Sequence, residues 1–581
     1  MIDSGLFLPL TKKEVERRGW DAIDVVLVSG DAYVDHPSFG GAIMGRIIER
    51  EGFRVAILAQ PNWRDDLRDF KKFGKPRLFF GVTSGSMDSM VNHYTAAKRL
   101  RSTDAYTPGN VAGFRPDYAT TIYSQIIRKL YPDSLIILGG IEASMRRFTH
   151  YDYWANRLFP SILFDSGADL LVYGMAEKTI RAILNVFRQK EHPTAEDFYH
   201  LKQIARCVCR KDQLPEKYLL LNSYTACLKT KNKFAEDFAV IERESNKTDA
   251  NILVQQYKEK WLVVNPPEAP LSEQELDDVY NLPFTRLPHP KYAGRGDISA
   301  FEMIKNSVNI HRGCFGGCSF CTISAHQGKF IVSRSEKSIL DEVNIVCRTT
   351  YFKGHITDLG GPSANMYRMQ GNKKDLCRQC NRTSCIFPKI CANLNFNHKP
   401  LLDLYRKASN IKGVKKISIG SGIRYDLLIS EDKSKRRDYG LDAYIETLIR
   451  HHVSGRLKVA PEHTENHVLQ CMRKPSFAVF LDFKKKFDAI NAKYRLNQQL
   501  IPYFISSHPA CTLADMQSLA EKIKRLQYYP EQVQDFTPTP MTLSSAIFYT
   551  GIHPATKLKV YCASELEEKK KQKKYFFYYK K

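Results

Sequence analysis

Three cysteines with short spacing carry the clearest chemistry in the sequence: Cys314, Cys318 and Cys321 are separated by three and then two residues. Thiolates are the preferred ligands of iron–sulfur clusters, and glycines before and between the cysteines let the backbone fold closely around such a group. Three thiolates leave one iron of a four-iron cluster open. Zinc usually needs four ligands, so a zinc site here would also need His311 or His326. The spacing therefore predicts a [4Fe-4S] cluster with an open iron, where a cofactor or substrate can bind.

A second cysteine group follows the first. Four thiolates satisfy a structural zinc ion and an auxiliary iron–sulfur cluster equally well, so the sequence leaves both open, and we favour the auxiliary cluster. Seven of the fourteen cysteines belong to the two groups, which favours metal binding over disulfides as the reason for the cysteine content. The second group has two, four and five residues between its members: Cys377, Cys380, Cys385 and Cys391.

Alternating strand and helix patterns surround both cysteine groups. Six apolar runs, each followed or joined by a helical pattern, predict a partial (β/α)6 barrel over residues 299–545. In such barrels the chemistry is carried by loops at the C-terminal ends of the strands, and the first cysteine group follows the first predicted strand. The predicted strands lie at 307–312, 355–360, 414–420, 456–460, 499–505 and 532–536.

The N-terminal part has a similar alternation. Short apolar runs ending near glycine predict buried parallel strands, so we expect an α/β chain whose residues 1–195 form a Rossmann-like, doubly wound parallel sheet. Residues 196–298 are predicted to be an inserted subdomain with a proline-rich linker. Residues 546–581 are predicted to be a basic C-terminal tail, either disordered or docked on the surface.

The first cysteine motif, with Phe320 directly before the last cysteine, resembles the signature of the radical S-adenosylmethionine (SAM) superfamily. Other segments resemble one family more closely, the YgiQ-type radical SAM proteins, and this resemblance covers about residues 1–560. The segments that carry it are Tyr33-Val-Asp-His-Pro-Ser-Phe-Gly40, Gly139-Gly-Ile-Glu-Ala-Ser144, Val459-Ala-Pro-Glu-His-Thr464 and Leu500-Ile-Pro-Tyr-Phe-Ile-Ser506.

The resemblance implies a reaction type. The amino and carboxylate groups of SAM would bind the open iron, and one electron from the reduced cluster would cleave a carbon–sulfur bond of SAM. Methionine is then released, and a 5′-deoxyadenosyl radical abstracts hydrogen from the substrate. A flavodoxin-like or ferredoxin-like protein would supply the electron. The family resemblance names no substrate, so the reaction beyond this step stays open.

The resemblance also implies SAM contacts. Phe320 would lie close to the adenine. Gly360 and Gly361 match a Gly-Gly-Glu turn that receives the SAM amino group, although Pro362 replaces the glutamate and removes its contribution. Three residues beyond the strand predicted at 414–420 are candidates for ribose or carboxylate contacts, with an ordinary glycine turn as the alternative: Ser421, Gly422 and Arg424.

Glu462 and His463 are the catalytic candidates. Both follow the strand predicted at 456–460, so we expect them at the mouth of the barrel, where they could bind a polar substrate or relay a proton. The alternative is a helix cap next to a histidine that faces solvent.

The first domain resembles the cobalamin-binding module of some superfamily members. Those modules use an Asp-x-His-x-x-Gly loop, whose histidine is the lower cobalt ligand. Here Asp35 and His36 are adjacent and Gly40 is four residues further on. Because the spacing departs from the pattern, we expect His36 to be a loop or substrate-pocket residue, and cobalamin stays an uncertain cofactor.

Composition narrows the class of protein. The chain has 87 Lys and Arg against 62 Asp and Glu, a net charge of +25, which favours a polyanion such as RNA as substrate or partner. Solubility explains the charge equally well.

No apolar run is long enough for a membrane span and no secretory signal is apparent, so a cytoplasmic protein is expected. The alternative function is a non-catalytic iron–sulfur scaffold that binds RNA or a protein; the missing fourth cysteine in the first motif favours the enzyme.

Overall fold

A computed structural model describes residues 4–530 and 533–579 and divides the chain into two compact units. The first unit comprises Met1–Leu271, Asp278–Lys305 and Thr539–Met541. The second comprises Ser272–Asp277, Asn306–Pro538 and Thr542–Lys581.

The first unit is built on a nine-stranded sheet with the order β7-β8-β9-β6-β5-β4-β3-β1-β2. Strands β1 to β5 pair in parallel, in the order 2-1-3-4-5 that is typical of doubly wound folds. This confirms an α/β chain with a large, mainly parallel sheet. The strands are β1 Val25–Ser29, β2 Val55–Ala59, β3 Phe79–Thr83, β4 Leu135–Leu138, β5 Leu170–Val172, β6 Ile204–Val208, β7 Leu219–Leu220, β8 Leu253–Tyr257 and β9 Lys260–Val264.

The prediction that residues 196–298 form a separate subdomain is wrong. Strands β6 to β9 extend the same sheet, because β6 pairs antiparallel with β5 and β9 pairs antiparallel with β6. The connections here are irregular, because β8 and β9 form a tight antiparallel hairpin whereas two helices, Tyr224–Lys229 and Lys231–Ser245, separate β7 from β8. The regular strand–helix alternation on which the prediction relied is therefore lost. The first unit continues to Lys305, a few residues beyond the predicted start of the barrel at 299.

The second unit contains a strand at each of the six predicted positions. Its parallel pairings are β10 with β12, β11 with β13, β14 with β15, and β15 with β16. These described parallel pairings form three separate sets, so the single six-stranded barrel stays a prediction. Residue 532 of the last predicted strand lies outside the described residues. The strands are β10 Ser307–Asn309, β11 His355–Ile356, β12 Asp358–Gly360, β13 Lys416–Ile417, β14 Arg456–Glu462, β15 Gln499–Ser506 and β16 Val533–Asp535.

Helices accompany both sets of strands. Among the described helices, none is both long and apolar enough to cross a membrane. Those of the first unit include Gly40–Arg50, Ala119–Leu130, Gly140–Met145, Glu177–Gln189 and Lys231–Ser245. Those of the second unit include Ile323–Gln327, Glu336–Cys347, Lys399–Ser409, Leu441–Thr447, Asn466–Met472, Phe477–Tyr494, Leu513–Arg525, Leu543–Thr550 and Leu566–Lys574.

The predicted basic tail is folded over most of its described length. Helix Leu566–Lys574 brings Gln572 against the end of β15, where its side chain accepts a hydrogen bond from Ser507 N (2.8 Å) and donates one to Cys511 O (2.9 Å). Phe576 is fully buried, 6.3 Å from the ring of Phe504 on β15. The tail is therefore docked on the second unit, while Lys580 and Lys581 lie outside the described residues.

Replacing Phe576 by Ala is expected to destabilise the protein by about 3–5 kcal/mol, because it removes a buried aromatic ring and leaves a cavity. Urea unfolding measures the change in the free energy of unfolding. Lys571→Ala, a substitution of an exposed residue in the same helix, should change that free energy by less than about 0.5 kcal/mol. Equal midpoints for Phe576→Ala and the unmodified chain would show that the tail does not contribute to the fold.

Candidate functional site

The first cysteine loop, residues 312–321, follows β10 within the second unit. Its entry is held by a short antiparallel pair, His311–Arg312 with Val332–Ser333, and by a hydrogen bond from Cys314 N to Gly328 O (3.1 Å). Gly313 has a φ of +83° and lies against the backbone of Phe330, so this turn requires glycine. The three cysteines thus lie in a loop just beyond β10, and their role as cluster ligands stays a prediction.

The cysteine thiols of this loop influence one another's pKa values. Burial raises the pKa of Cys321 to about 12, and negative charge on Cys318 or Cys314 raises it further. Burial also raises the pKa of Cys314, which Arg424 opposes. Within residues 4–530 and 533–579, no three or more Cys, His, Asp or Glu side chains are grouped to hold a single metal ion. A four-iron cluster binds each thiolate at a different iron, so its ligands need not meet at one point.

Arg424 connects the loop to a buried carboxylate. Its Nη1 donates to Cys318 Sγ at 3.3 Å, while Nη2 and Nε donate to the two carboxylate oxygens of Asp426 at 2.6 and 3.0 Å. A Cβ at Gly316 would lie 2.9 Å from Nη1, so glycine there gives the guanidinium room. Asn365 accepts from Arg424 N and donates to Arg424 O, which fixes the backbone.

Two polar side chains that the sequence did not single out, Ser544 and His508, brace the loop. Ser544 donates through its backbone N to Ser319 O (2.9 Å), and the hydroxyl oxygens of the two serines lie 2.8 Å apart. His508 Nε2 lies 2.7 Å from Ser544 Oγ, and its ring packs edge-on against Phe320 with centroids 5.9 Å apart. The sequence offered one indication of this role: His508 follows the C-terminal end of β15, the end of a barrel strand where site residues are expected. Phe320 is thus held beside the cysteines as expected, and its contact with adenine stays a prediction.

The predicted glycine turn packs closely against its neighbours. A Cβ at Gly360 would lie 2.7 Å from Ser421 Oγ, and one at Gly361 would lie 2.6 Å from His311 Nε2. Ser421 donates to Asp358 through both its backbone N and its Oγ. A Cβ at Gly422 would meet open space. Close packing explains both residues of the Gly-Gly pair, and contacts of these residues with SAM remain predictions.

Glu462 and His463 are placed in different surroundings. Glu462 is buried at a bulge with a φ of +69°, its carboxylate 3.7 Å from Lys474 Nζ, and burial raises its pKa. His463 is fully buried, accepts from Glu465 N through Nδ1 and lies 3.4 Å from Cys511 Sγ through Nε2. Burial lowers the pKa of His463 to about 4, so the ring is neutral. The structure does not bring the two side chains together as an acid–base pair.

The second cysteine segment, residues 377–391, packs against the first cysteine loop. Cys385 N donates to Phe315 O at 3.0 Å, and a Cβ at Gly317 would lie 2.5 Å from Thr383 O. A cavity of about 160 Å³ lies between this segment and Arg424. It is lined by apolar side chains, among them Ile386, Phe387, Ile429 and Val479, together with the charged side chains of Arg424, Asp426 and Arg473.

Side chains of the chain itself fill the space beyond the carboxyl ends of β1 and β3 in the first unit. Fully buried Arg115 lies between Asp31 (2.9 Å) and Asp104 (3.2 Å), and it donates to Ser84 O beyond β3. His36 Nδ1 accepts from Ser38 N (3.1 Å), which leaves the proton of the neutral ring on Nε2. A protonated Nε2 cannot coordinate cobalt. These residues therefore do not fit the lower-ligand site of a cobalamin-binding module.

The fold and site thus define an α/β protein with a three-cysteine loop after a strand. The family model described as Radical SAM N-terminal matches residues 7–307. A UPF0313 protein of Bacteroides thetaiotaomicron is 57% identical over 574 residues, covering 97% of this chain and 92% of the relative. One from Porphyromonas gingivalis is 55% identical over 564 residues, covering 97% and 88%. The chain belongs to the UPF0313 family, the YgiQ-type radical SAM proteins.

Solved structures are more distant. The cobalamin-dependent S-adenosylmethionine radical enzyme OxsB with aqua-cobalamin bound has a TM-score of 0.49 and 12% sequence identity, covering 92% of this chain and 56% of that chain. Similarity at this level assigns neither a cofactor nor a reaction to this chain.

Proposed function

We propose that the protein is a radical SAM enzyme that holds a [4Fe-4S] cluster on Cys314, Cys318 and Cys321. One observation carries the proposal: the three cysteines lie in one loop after β10, and one nitrogen of a buried guanidinium donates to the thiol of Cys318 in that loop. Three thiolates leave the fourth iron for SAM, and when bound together the cluster and SAM supply one-electron cleavage of a carbon–sulfur bond to give methionine and a 5′-deoxyadenosyl radical. A small electron-transfer protein supplies the electron.

Arg424 tunes the cluster in this proposal. Because Nε and Nη2 are paired with Asp426, only Nη1 is directed at Cys318, so the guanidinium donates a charge-assisted hydrogen bond to a cluster thiolate. Hydrogen bonds to the sulfurs and nearby positive charge favour the reduced cluster. The neighbouring cavity of about 160 Å³ is smaller than the roughly 300–1,000 Å³ of whole-ligand sites, so it takes one part of a larger ligand.

Glu462 remains the candidate for proton transfer. Burial raises its pKa, and its nearest charged neighbour is Lys474. His463 holds Cys511 in place instead of meeting substrate. The substrate is open, and the net charge of +25 keeps RNA among the classes to test.

The test is anaerobic reconstitution with iron and sulfide, reduction by dithionite and assay of 5′-deoxyadenosine after SAM is added. The unmodified chain is expected to form it, and the Cys314/Cys318/Cys321→Ala triple variant is expected to give only background. Cys209/Cys347→Ser is the matched control, because it removes two cysteines outside both groups. A fully loaded chain that forms no 5′-deoxyadenosine, either alone or with cell extract as a substrate source, would support the scaffold instead.

A further inference from the structure

A buried lysine beside the second cysteine segment has no carboxylate partner in the described part of the chain. Lys329 is 3% exposed, and its Nζ donates to the carbonyl oxygens of Cys380 (3.2 Å) and Arg382 (2.8 Å). An ammonium removed from water costs several kcal/mol unless an opposite charge compensates it. Two carbonyl dipoles supply part of that compensation, and the charge of Lys329 lowers the pKa of two thiols of the segment, Cys377 and Cys385, against the effect of burial.

The four thiols of this segment share one environment. Cys380 N donates to Cys377 O (3.3 Å) and Cys391 N donates to Cys385 O (2.7 Å), so two tight turns bring the cysteines towards one another. Asn393 Nδ2 donates to Cys377 Sγ at 3.4 Å. Burial raises the pKa of Cys385 to about 11, negative charge on any of the other three raises it further, and Lys329 opposes the shift.

These observations give the segment a specific charge requirement. Four neutral thiols would leave Lys329 uncompensated, whereas four thiolates without a cation would repel one another. A metal centre resolves both, because a divalent ion or a [4Fe-4S]²⁺ core with four thiolates has a net charge of about −2. Binding of Zn²⁺, or assembly of a [4Fe-4S]²⁺ core from two Fe²⁺, two Fe³⁺ and four sulfide ions, releases the four thiol protons to solvent and needs no external oxidant or reductant.

We propose that Cys377, Cys380, Cys385 and Cys391 bind a second metal centre as a complete tetrathiolate, with the buried ammonium of Lys329 as its counter-ion. This centre has no open coordination position and is independent of SAM chemistry at the first loop. Among the described residues no three of these thiols are grouped around a single metal ion, which favours a four-iron cluster, where each thiolate binds a different iron. Zinc shares the tetrathiolate chemistry, and metal analysis distinguishes the two.

The first test measures metal content in the Cys314/Cys318/Cys321→Ala background, reconstituted anaerobically with equal parts of Fe²⁺ and Fe³⁺ and sulfide, or with Zn²⁺ alone. One centre per chain should remain, as one zinc or as about four iron and four sulfide. Adding Cys377/Cys380→Ser should remove it, and adding Cys209/Cys347→Ser should leave it in place. Either metal retained in this pattern supports the tetrathiolate. A triple variant that holds neither metal, or a second-segment variant that keeps it, overturns the proposal.

The same comparison in the chain with an intact first loop covers the case in which the triple variant does not fold. There, Cys377/Cys380→Ser should lower the metal content by one centre per chain relative to Cys209/Cys347→Ser. Equal metal contents would contradict the proposal.

The second test addresses Lys329. Lys329→Met is expected to weaken metal binding at the second segment by roughly 10–100-fold in competition with a chelator, the range seen when a group that supports metal ligands is lost. Lys329→Arg keeps the charge and should recover most of the affinity, and Lys353→Met, at an exposed lysine, should change nothing. Unchanged affinity in Lys329→Met would exclude the counter-ion role.

Discussion

Replacing Arg424 by Met is expected to destabilise the protein by about 3–5 kcal/mol, because it leaves the Asp426 carboxylate buried without its partner. The two side chains are only 9% and 12% exposed and form a two-point ion pair. Burial opposes ionisation of Asp426, yet Arg424 keeps the pKa of that carboxyl below its usual range. The urea midpoint of unfolding measures the loss.

The double variant Arg424→Met with Asp426→Leu separates the structural from the chemical role. It removes the unpaired carboxylate, so most of the lost stability should return. Formation of 5′-deoxyadenosine should stay roughly 10–100-fold below that of the unmodified chain, because a charged hydrogen bond to Cys318 is worth about 1.5–3 kcal/mol. Full activity in the double variant would mean that Arg424 serves only the fold.

Apolar patterning predicted the strands that lie in the middle of a sheet. Every residue of Val55–Ala59 is buried, and the run is continuously apolar, which is the pattern of a parallel strand covered on both faces. Strand β6 does not follow that rule, because Arg206 lies at its centre. The Arg206 side chain is buried and donates a hydrogen bond to Asn265. A polar residue whose partner is 59 positions away in sequence breaks the pattern on which the prediction relied.

The same distinction holds at the candidate site. Local spacing predicted the three thiols, since ligands within eight residues must stay close together. The partners of that loop come from distant positions: Arg424 lies 106 residues from Cys318, and Ser544 lies 225 residues from Ser319. No local pattern indicates such contacts. The different surroundings of Glu462 and His463 have a local cause, because β14 ends at Glu462 in a bulge with a φ of +69°, so the strand geometry does not continue to His463.

Acidification is expected to destabilise the second unit steeply between pH 6.5 and 4. Burial lowers the pKa of two of its imidazoles, His311 and His463, to about 4. Burial lowers the pKa of two others, His398 and His508, to about 3. In the unfolded chain the same groups titrate near 6.5, so below that pH the unfolded state binds more protons and stability falls with pH.

The size of this effect follows from the shifts. Each imidazole contributes up to about 1.4 kcal/mol per pH unit within the window, and four together contribute several kcal/mol per unit. Burial raises the pKa of Asp358 and Glu462, so these two carboxyls oppose the trend. Because the four imidazoles outnumber these two carboxyls, the protein loses stability overall as the pH falls from 6.5 to about 4.

His508→Gln tests the origin of the slope. Gln can still accept a hydrogen bond from Ser544 but does not titrate, and the variant is expected to be less stable than the unmodified chain at pH 7.5. Between pH 7.5 and 5.5 its free energy of unfolding, measured in urea, should fall less steeply, because about one proton fewer is taken up on unfolding. His192→Gln, at an exposed histidine, should keep the full slope. Measuring metal-free chains keeps acid loss of iron out of the comparison. Parallel slopes for His508→Gln and the unmodified chain would mean that this ring is already protonated in the folded state, and its hydrogen bond from Ser544 to Nε2 would then have to be reversed.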